Sequence, residues 1–463
     1  MSWIGPLIVT LFGGFLRFHN LALPKGKVFD EVYYVTGAQQ LIANGVEFDL
    51  VKNQPDFVVH PPLGKWIIVA GIKIFGDTEF GWRVAIAFLG TLSILILART
   101  AQRLFNSALL GSVAGLLLAI DGLHFAHSRT ALLDLSLMFF ILCAFALLVR
   151  DRDHRRDRLA RGLGVGWSPW RIAAGVAMGL AVAVKWSALY YLAAFGLLLL
   201  AWDYTAAKRF GHRHPLRSLA MTSIPRAALQ WVAVPIVTYL AAWTGWFRSD
   251  VGYGRQWADG RESSFAFIPA PLRSLWHYHV EMYGFHVNLT SEHPYMANPW
   301  SWMVMTRPTA FYYKSLEAGQ DGCMVARCSQ AIVGLGNPFL WWAGTVALII
   351  AIWAWLARRD WRAGAIVVGV AAGYLPWFFY QERTIYNFYA VVFAPFVVLA
   401  VTYMIGMILG SSPDPLARRN RAIAAGFVVL VAVGVFFYML PVLDATVIPE
   451  DAWRSRMWFS TWI

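Results

Sequence analysis

Two adjacent carboxylates, Asp30 and Glu31, stand near the beginning of the chain in the stretch "KVFDEVYYVTG". A carboxylate can act as a general base, because it accepts the proton of a hydroxyl group as that oxygen attacks a substrate carbon. The same pair could be a solvated turn in which Asp30 caps a helix. In a chain that is 58% hydrophobic and only 14% charged, an acidic pair is nevertheless the first candidate for chemistry.

Cationic side chains that could hold an anion are scattered over four well-separated segments. Lysine and arginine clamp phosphate groups, and at lipid headgroup depth a lipid-linked phosphate is the natural anion. Structural readings stay open, because Lys185 could snorkel to the membrane interface and Arg129 could anchor the following helix. The cations are Lys65 in "HPPLGK", Arg129 in "SRTALLD", Lys185 in "AVAVKWSAL" and Arg383 in "QERTIYN".

A short polar loop, "IDGLHFAHS", contains Asp121, His124 and His127. Carboxylate and imidazole groups bind zinc, but three ligands at loop spacing are weak evidence for a metal site. The structural alternative is a pair of interfacial histidines. Cationic side chains can neutralise a departing phosphate without a metal ion, so we expect neither a metal nor another cofactor.

The elements that must position these residues are membrane spans. A soluble domain of 463 residues would need far more polar surface than this chain carries. The net charge of +13 lies in short loops between apolar runs, which is the positive-inside pattern of membrane proteins and not a nucleic-acid surface. The loops are 150–171, 208–226, 358–362 and 411–421.

Apolar runs of about 20 residues predict eleven spanning helices, the first of them retained and not cleaved as a signal peptide. The basic loops place the amino terminus in the cytoplasm and the carboxyl tail outside. A further amphipathic helix is expected over 64–75, lying on the membrane. The predicted spans are 3–18, 80–103, 106–121, 130–149, 171–185, 187–203, 227–247, 337–357, 363–380, 386–409 and 422–441.

Three parts follow from this topology. Residues 1–247 form a membrane module with an external lobe over 19–79, residues 248–336 form a second external lobe, and residues 337–463 contain four spans and an external tail. Cys323 and Cys328 fall in the second lobe, where an oxidising exterior favours a disulfide. A metal site at these cysteines would need two more ligands, and the sequence offers no such pair.

The motifs taken together resemble the protein O-mannosyltransferases, and most of all their actinobacterial members. The acidic pair follows the first span, and after it come "HPPLGK", "SRTALLD", "VKW" and "HPY…PWSW…RP" in that order. The resemblance implies an all-α polytopic membrane protein with a GT-C glycosyltransferase fold. It also implies a polyprenyl-phosphate-mannose donor, serine or threonine hydroxyls of exported proteins as acceptors, and inversion at the sugar carbon. Membrane lipids and the secretion translocon are the further partners.

Residue roles follow from the same resemblance. The catalytic aspartate of the family corresponds to Asp30, with Glu31 beside it to orient the acceptor or to bind the cations. The expected ligands of the donor phosphate are Arg129, Lys185, Arg383, His60 and Lys65. The expected contacts of the acceptor or sugar are Tyr33, His127, Asn387, His293, Tyr295 and Trp302.

Two other functions remain open at this point. A different GT-C transferase could move a sugar to a glycolipid or to lipid A, and only the acceptor would distinguish it. A transporter of lipid-linked sugars would show broken helices in two related halves, with polar groups near the membrane midplane. The polar residues here cluster at one face and no internal repeat is apparent, which favours a transferase.

Overall fold

The computed structural model describes residues 2–163, 166–211 and 213–463. These residues are mostly helical, and seven of the helices are long and apolar enough to cross a membrane. Four shorter apolar helices lie at the remaining predicted positions. Every predicted span therefore coincides with an apolar helix, while the number of crossings stays a prediction.

The helices are numbered in chain order. They are α1 (Ile4–Phe18), α2 (Glu31–Asn44), α3 (Leu63–Phe75), α4 (Glu79–Phe105), α5 (Ala108–Ala119), α6 (Gly122–His127), α7 (Leu133–Ala160), α8 (Pro169–Val184), α9 (Ala188–Arg209), α10 (Pro215–Ala242), α11 (Ala270–Val287), α12 (Pro338–Arg358), α13 (Trp361–Phe379), α14 (Ala394–Leu409) and α15 (Pro415–Val442). Two short helices, Thr244–Arg248 and Glu450–Arg454, flank the second lobe and the tail.

The helix boundaries have local causes. Side chains of Thr78, Ser107 and Asn337 accept backbone N–H groups at the starts of α4, α5 and α12, which satisfies donors that have no partner within the helix. Lys185 has an extended backbone and separates α8 from α9, as the sequence predicted. The helix over 64–75 is also confirmed, as α3.

Five short strands were not predicted by the all-α interpretation. Strands β1 (Phe48–Asp49) and β2 (Gln54–Pro55) form a hairpin in the first lobe. Strands β3 (Thr309–Glu317), β4 (Arg327–Gly334) and β5 (Ile448–Pro449) form an antiparallel sheet in the order β3-β4-β5. The signal in β3 was its "TAFYY" run of β-branched and aromatic residues, which is typical of strands.

The sheet joins two parts that the sequence had separated. Strand β5 belongs to the carboxyl-terminal tail, yet it pairs with β4 of the second lobe at Cys328 and Ser329. The hairpin of β3 and β4 is closed by the predicted disulfide between Cys323 and Cys328. The second lobe and the tail are therefore one structural unit on the same side of the helices.

Candidate active site

Asp30 immediately precedes α2 and is partly buried. The residue before it, Phe29, has a φ of 47°, a left-handed conformation that is uncommon for an aromatic residue. The Phe29 ring lies 5.1 Å from that of Phe311 in β3 and 5.4 Å from that of Phe388. Aromatic packing therefore holds the backbone in a strained conformation next to the carboxylate, a feature that often accompanies functional sites.

The neighbouring carboxylate, Glu31, is fully buried. Both of its oxygens accept from Arg83, each at 2.8 Å. The same oxygens also accept the backbone N–H groups of Val28 and Ala131 at 2.9 and 2.7 Å. Because four donors occupy this carboxylate and no water reaches it, Glu31 connects three segments and positions Asp30. The contacts do not fit the role of a catalytic residue at Glu31.

Arg83 is a residue of this site that the sequence analysis did not single out. Its side chain is fully buried, and besides Glu31 it donates to the carbonyls of Leu21, Pro24 and Gly26 at 3.1–3.3 Å. These bonds fix the loop that leads into Asp30. A charged residue inside the predicted span 80–103 was the available signal, since such residues are costly in a membrane segment and usually have a specific partner.

Lys185 lies at the break between α8 and α9, close enough to Asp30 for their charges to interact. Its Nζ binds both oxygens of Asp134, at 2.8 and 3.0 Å, and stands 5.3 Å from the centre of the Tyr389 ring. An ammonium group has three donors, so Lys185 can bind a further acceptor while Asp134 holds it. The sequence analysis gave Asp134 no role, although it is part of the "SRTALLD" motif.

Burial and neighbouring charges raise the pKa of Asp30 to about 6. Desolvation is the largest cause, and the charge of Asp134 raises the pKa further. The charge of Lys185 and a hydrogen bond from the Tyr34 hydroxyl, at 3.4 Å, lower it. A carboxyl group with this pKa is ionised at neutral pH and is a stronger base than an ordinary aspartate.

A second group of side chains, His60, His286 and Arg383, lies close to Lys185. The ring of His60 stacks on that of His286 in α11, with centroids 4.9 Å apart. His286 Nε2 donates to the Val59 carbonyl, so its Nδ1 can accept from Arg383 Nη2 at 3.4 Å. Among the described residues, the buried Nε of Arg383 has no hydrogen-bond partner. This unused donor indicates that Arg383 can bind a ligand.

The electrostatic environment of this group favours an anion. Burial lowers the pKa of His60 well below its usual value, and the charges of Lys185, Lys65 and Arg383 add to this effect. Both histidines are therefore neutral at pH 7, while lysine and arginine supply the positive charge. The arrangement places a basic carboxylate on one side and the cations Lys185 and Arg383 on the other, which suits attack by a hydroxyl group on a phosphate-activated carbon.

Comparison with known proteins agrees with this chemistry. The family model described as dolichyl-phosphate-mannose-protein mannosyltransferase matches residues 7–247, and the one described as the C-terminal four TMM region of protein-O-mannosyltransferase matches residues 271–462. A polyprenol-phosphate-mannose–protein mannosyltransferase of Mycolicibacterium smegmatis is 37% identical, over 100% of this chain and 93% of the relative. The chain belongs to the protein O-mannosyltransferase family.

Further relatives of this mannosyltransferase family extend the match. A protein of the same name from Mycobacterium tuberculosis is 34% identical, over 100% of this chain and 92% of the relative. In the solved yeast Pmt1-Pmt2 protein O-mannosyltransferase complex bound to its sugar donor, one chain superimposes with a TM-score of 0.77. That match covers 99% of this chain and 92% of the yeast chain at 15% identity, so it shows a shared GT-C fold.

Two predicted phosphate ligands of the mannosyltransferase have other partners. Arg129 donates to the carbonyls at the end of α1 and just beyond it, those of Leu16, Arg17, His19 and Asn20, at 2.6–3.2 Å. Lys65 forms a buried ion pair with Glu47 at 2.5 Å. A guanidinium that caps a helix end and a lysine held by a carboxylate are poorly placed to clamp a phosphate. We therefore revise the prediction that Arg129 and Lys65 bind the donor, and we assign both residues a structural role.

The predicted acceptor and sugar contacts divide by burial. His127, Asn387 and Trp302 are fully buried; Asn387 and Trp302 donate to backbone carbonyls, and His127 Nδ1 bonds the Leu123 carbonyl. Tyr33 is 71% exposed. His293 lies 5.2 Å from the ring of Tyr386, which is itself within 6.4 Å of Phe29.

Of the six predicted contacts, His293 and its neighbour Tyr295 remain candidates for the acceptor. Both are partly buried, their rings are 5.9 Å apart, and they continue the aromatic wall that begins at Phe29. The buried residues support this wall from behind. Nothing in the sequence distinguishes the residues that line the wall from those that support it.

Proposed function

We propose that this membrane enzyme transfers one mannose from polyprenyl-phosphate-mannose to a serine or threonine hydroxyl of an exported protein, with inversion. The observation that carries the proposal is Asp30, a partly buried carboxylate with a raised pKa that lies close enough to Lys185 to interact with its charge. Membership of the mannosyltransferase family and the names of the actinobacterial relatives support the choice of donor and acceptor.

Asp30 acts as the general base. The acceptor hydroxyl oxygen attacks C1 of mannose while its proton passes to Asp30, and the bond from C1 to the phosphate oxygen breaks in the same displacement. The products are the O-mannosylated protein and polyprenyl phosphate, and Asp30 later releases its proton to water. A base within hydrogen-bond distance of the hydroxyl contributes on the order of 10²–10⁴ to the rate.

The leaving phosphate gains negative charge as the bond breaks, and nearby cations stabilise it. Lys185 and Arg383 fill this role, because the charges of both act on His60, Arg383 has an unused donor, and an ammonium group bound to one carboxylate can still donate to a further acceptor. Asp134 holds and orients Lys185. No group of three or more metal-ligating side chains occurs among the described residues, and the mechanism uses no metal ion.

The protein is a multi-pass membrane protein. Within this proposal its amino terminus is cytoplasmic, while the active site and the carboxyl tail face the exterior, where acceptor proteins emerge from the secretion translocon. The basic loops support this orientation by the positive-inside rule.

Purified protein tests the proposed function directly. Radiolabelled polyprenyl-phosphate-mannose is mixed with a threonine-containing peptide and, separately, with the matching alanine peptide. Label should transfer to the first peptide only. Labelling of a glycolipid in place of the peptide would identify a different acceptor, and label that crosses a membrane without transfer would identify a transporter.

The pH dependence of mannose transfer should reflect the ionisation of Asp30. Because its pKa is raised to about 6, kcat/KM for the acceptor should be constant at neutral pH and fall about tenfold per pH unit below pH 6. An unperturbed aspartate would sustain activity to about pH 4. Replacing Tyr34 with Phe removes a bond that lowers the pKa, so the inflection should move to higher pH. An inflection near pH 4 in both proteins would contradict the assignment.

Arg383→Gln should weaken donor binding. Loss of one charge-assisted hydrogen bond to phosphate should raise the apparent KM for the donor about tenfold, with a smaller change in the KM for the peptide. The exposed neighbour Glu382, changed to Gln, is the matched control. Arg129→Gln should instead lower the temperature of unfolding and leave the donor KM unchanged, since its guanidinium caps α1. Unchanged donor KM in the Arg383 variant would exclude its phosphate role.

Chelation should leave transfer unchanged. Lys185 and Arg383 supply the positive charge that a divalent ion would otherwise provide, so excess EDTA should not slow the labelling of the threonine peptide. The control is the same assay with added Mg²⁺ or Mn²⁺. Activity that disappears with EDTA and returns with a divalent ion would contradict the proposed mechanism.

A further inference from the structure

A second group of buried charges lies at the other end of α7. Arg152 is 18 residues beyond Asp134 on this helix, which corresponds to about 27 Å at a rise of about 1.5 Å per residue. The hydrocarbon core of a bilayer is about 30 Å thick. The group is therefore at the membrane face opposite to Asp30 and plays no part in the proposed transfer.

One part of this group is balanced. Arg171 at the start of α8 donates to Asp151 at 2.7 Å and to Asp203 at 2.9 Å. Arg155 binds Asp203 at 3.0 Å. Two arginines thus meet two buried carboxylates, and this arrangement ties α7, α8 and α9 together without excess charge.

The adjoining cluster is not balanced. It contains Arg152, Arg156 and Arg209, with Asp153 as the nearby acid. Asp153 accepts from Arg152 at 3.2 Å, and its second oxygen is bound by Arg103 at 3.0 Å. Arg209 is close enough to repel both Arg152 and Arg156 electrostatically. Four arginines therefore share one carboxylate.

The cluster also has unused donors. The side chain of Arg152 is 5% exposed, and its guanidinium carbon lies 3.2 Å from the centre of the Trp361 ring. In the part of the chain that the structure describes, neither Arg152 Nε nor Arg156 Nε has a hydrogen-bond partner, although both atoms are buried. Buried donors are nearly always satisfied, so a missing acceptor is the expected explanation. Orientation in the membrane would need only exposed charges, and would not require Arg152 to be buried against a tryptophan.

We propose that Arg152, Arg156 and Arg209 bind a phosphate group, that of an anionic phospholipid at the membrane face opposite to the active site. Arginine is the residue best suited to phosphate oxygens, and its stacking on Trp361 fixes the guanidinium plane. A phosphate would satisfy the unused donors and neutralise the excess charge. Free phosphate has the same chemistry and is distinguished by the experiment.

Binding to the full-length protein in neutral detergent, after removal of copurified lipid, tests the site. Dioctanoyl-phosphatidylglycerol is titrated beside dioctanoyl-phosphatidylcholine and inorganic phosphate, and binding is followed by calorimetry and by the temperature of unfolding. Arg156→Gln/Arg209→Gln should weaken phosphatidylglycerol binding at least about tenfold. Both residues reach the surface, so this variant should fold. The matched control, Arg418→Gln/Arg419→Gln, removes two exposed charges of another basic loop and should bind as the wild type does.

A variant that is expected to bind the lipid more tightly distinguishes an effect on binding from misfolding. Asp153→Asn removes the negative charge beside the arginines, so the variant should bind phosphatidylglycerol several-fold more tightly, a result that damage to the fold would not produce. Saturation by inorganic phosphate at the lipid's own concentration would support the site but assign it to free phosphate. Wild-type affinity in Arg156→Gln/Arg209→Gln, or an equal loss in the control, would overturn the proposal, and so would equal binding of phosphatidylcholine.

Discussion

Asp30→Asn should abolish mannose transfer and leave the protein folded in the membrane. The amide cannot accept the proton of the acceptor hydroxyl, so the general-base contribution is lost, which corresponds to a decrease in kcat of about 10²–10⁴. The amide keeps the size of the carboxyl group, so donor and peptide should still bind. Single-turnover transfer of label to the threonine peptide measures the effect.

The stability of the same variant gives a second test. Burial raises the pKa of Asp30 to about 6, so the folded state disfavours the ionised form, and at neutral pH the charge lowers the free energy of unfolding. That cost disappears below the unfolded-state pKa and is fully present above pH 6. A neutral amide removes it, so Asp30→Asn should unfold at the same temperature as the wild type or a higher one.

These two results together separate a catalytic carboxylate from a structural one. Asp49→Asn is a suitable control, since Asp49 is in the same lobe and, within the described part of the chain, its oxygens bond only to its own turn and to Lys52. It should change neither transfer nor the unfolding temperature by much. Near-normal transfer by Asp30→Asn would remove Asp30 from the mechanism. A clear fall in its unfolding temperature would show that the loss of activity comes from damage to the fold.

The helices were predictable because apolar length and basic loops are properties of local sequence. The break at Lys185 could be read from a single charge in an apolar run, and the structure has α8 and α9 on either side of it. The pairing of β5 with β4 could not be predicted from the sequence, because a two-residue strand in the tail has no recognisable pattern of residues. Its position depends on a contact across more than 100 residues.

The site was predictable in its residue types and less so in its contacts. Asp30 and the loop arginine of "SRTALLD" could both be singled out in the sequence, because charges at the edge of a span are costly and conspicuous. Whether such a charge binds a ligand or a carbonyl depends on its neighbours in space. Arg129 caps α1, while Arg383, which looks the same in sequence, has an unused donor.

Arg83→Met should destabilise the protein more than any other single change discussed above. It leaves the Glu31 carboxylate buried without a counter-charge, and breaking a buried ion pair in this way costs about 3–5 kcal/mol. It also releases the carbonyls of Leu21, Pro24 and Gly26. The unfolding temperature should fall by several degrees. Arg103→Met is the matched control on the same helix, where an exposed pair with Asp153 contributes at most about 1 kcal/mol.

The double variant Arg83→Met/Glu31→Gln tests whether the ion pair itself is responsible. Removing both charges leaves no uncompensated carboxylate, so the double variant should be more stable than Arg83→Met alone, and the two effects should not add. Transfer should remain impaired in it even below the unfolding temperature, because the loop that leads into Asp30 has lost its anchor. Additive losses of stability would mean that Glu31 and Arg83 act independently, and normal transfer would mean that Asp30 does not depend on them for its position.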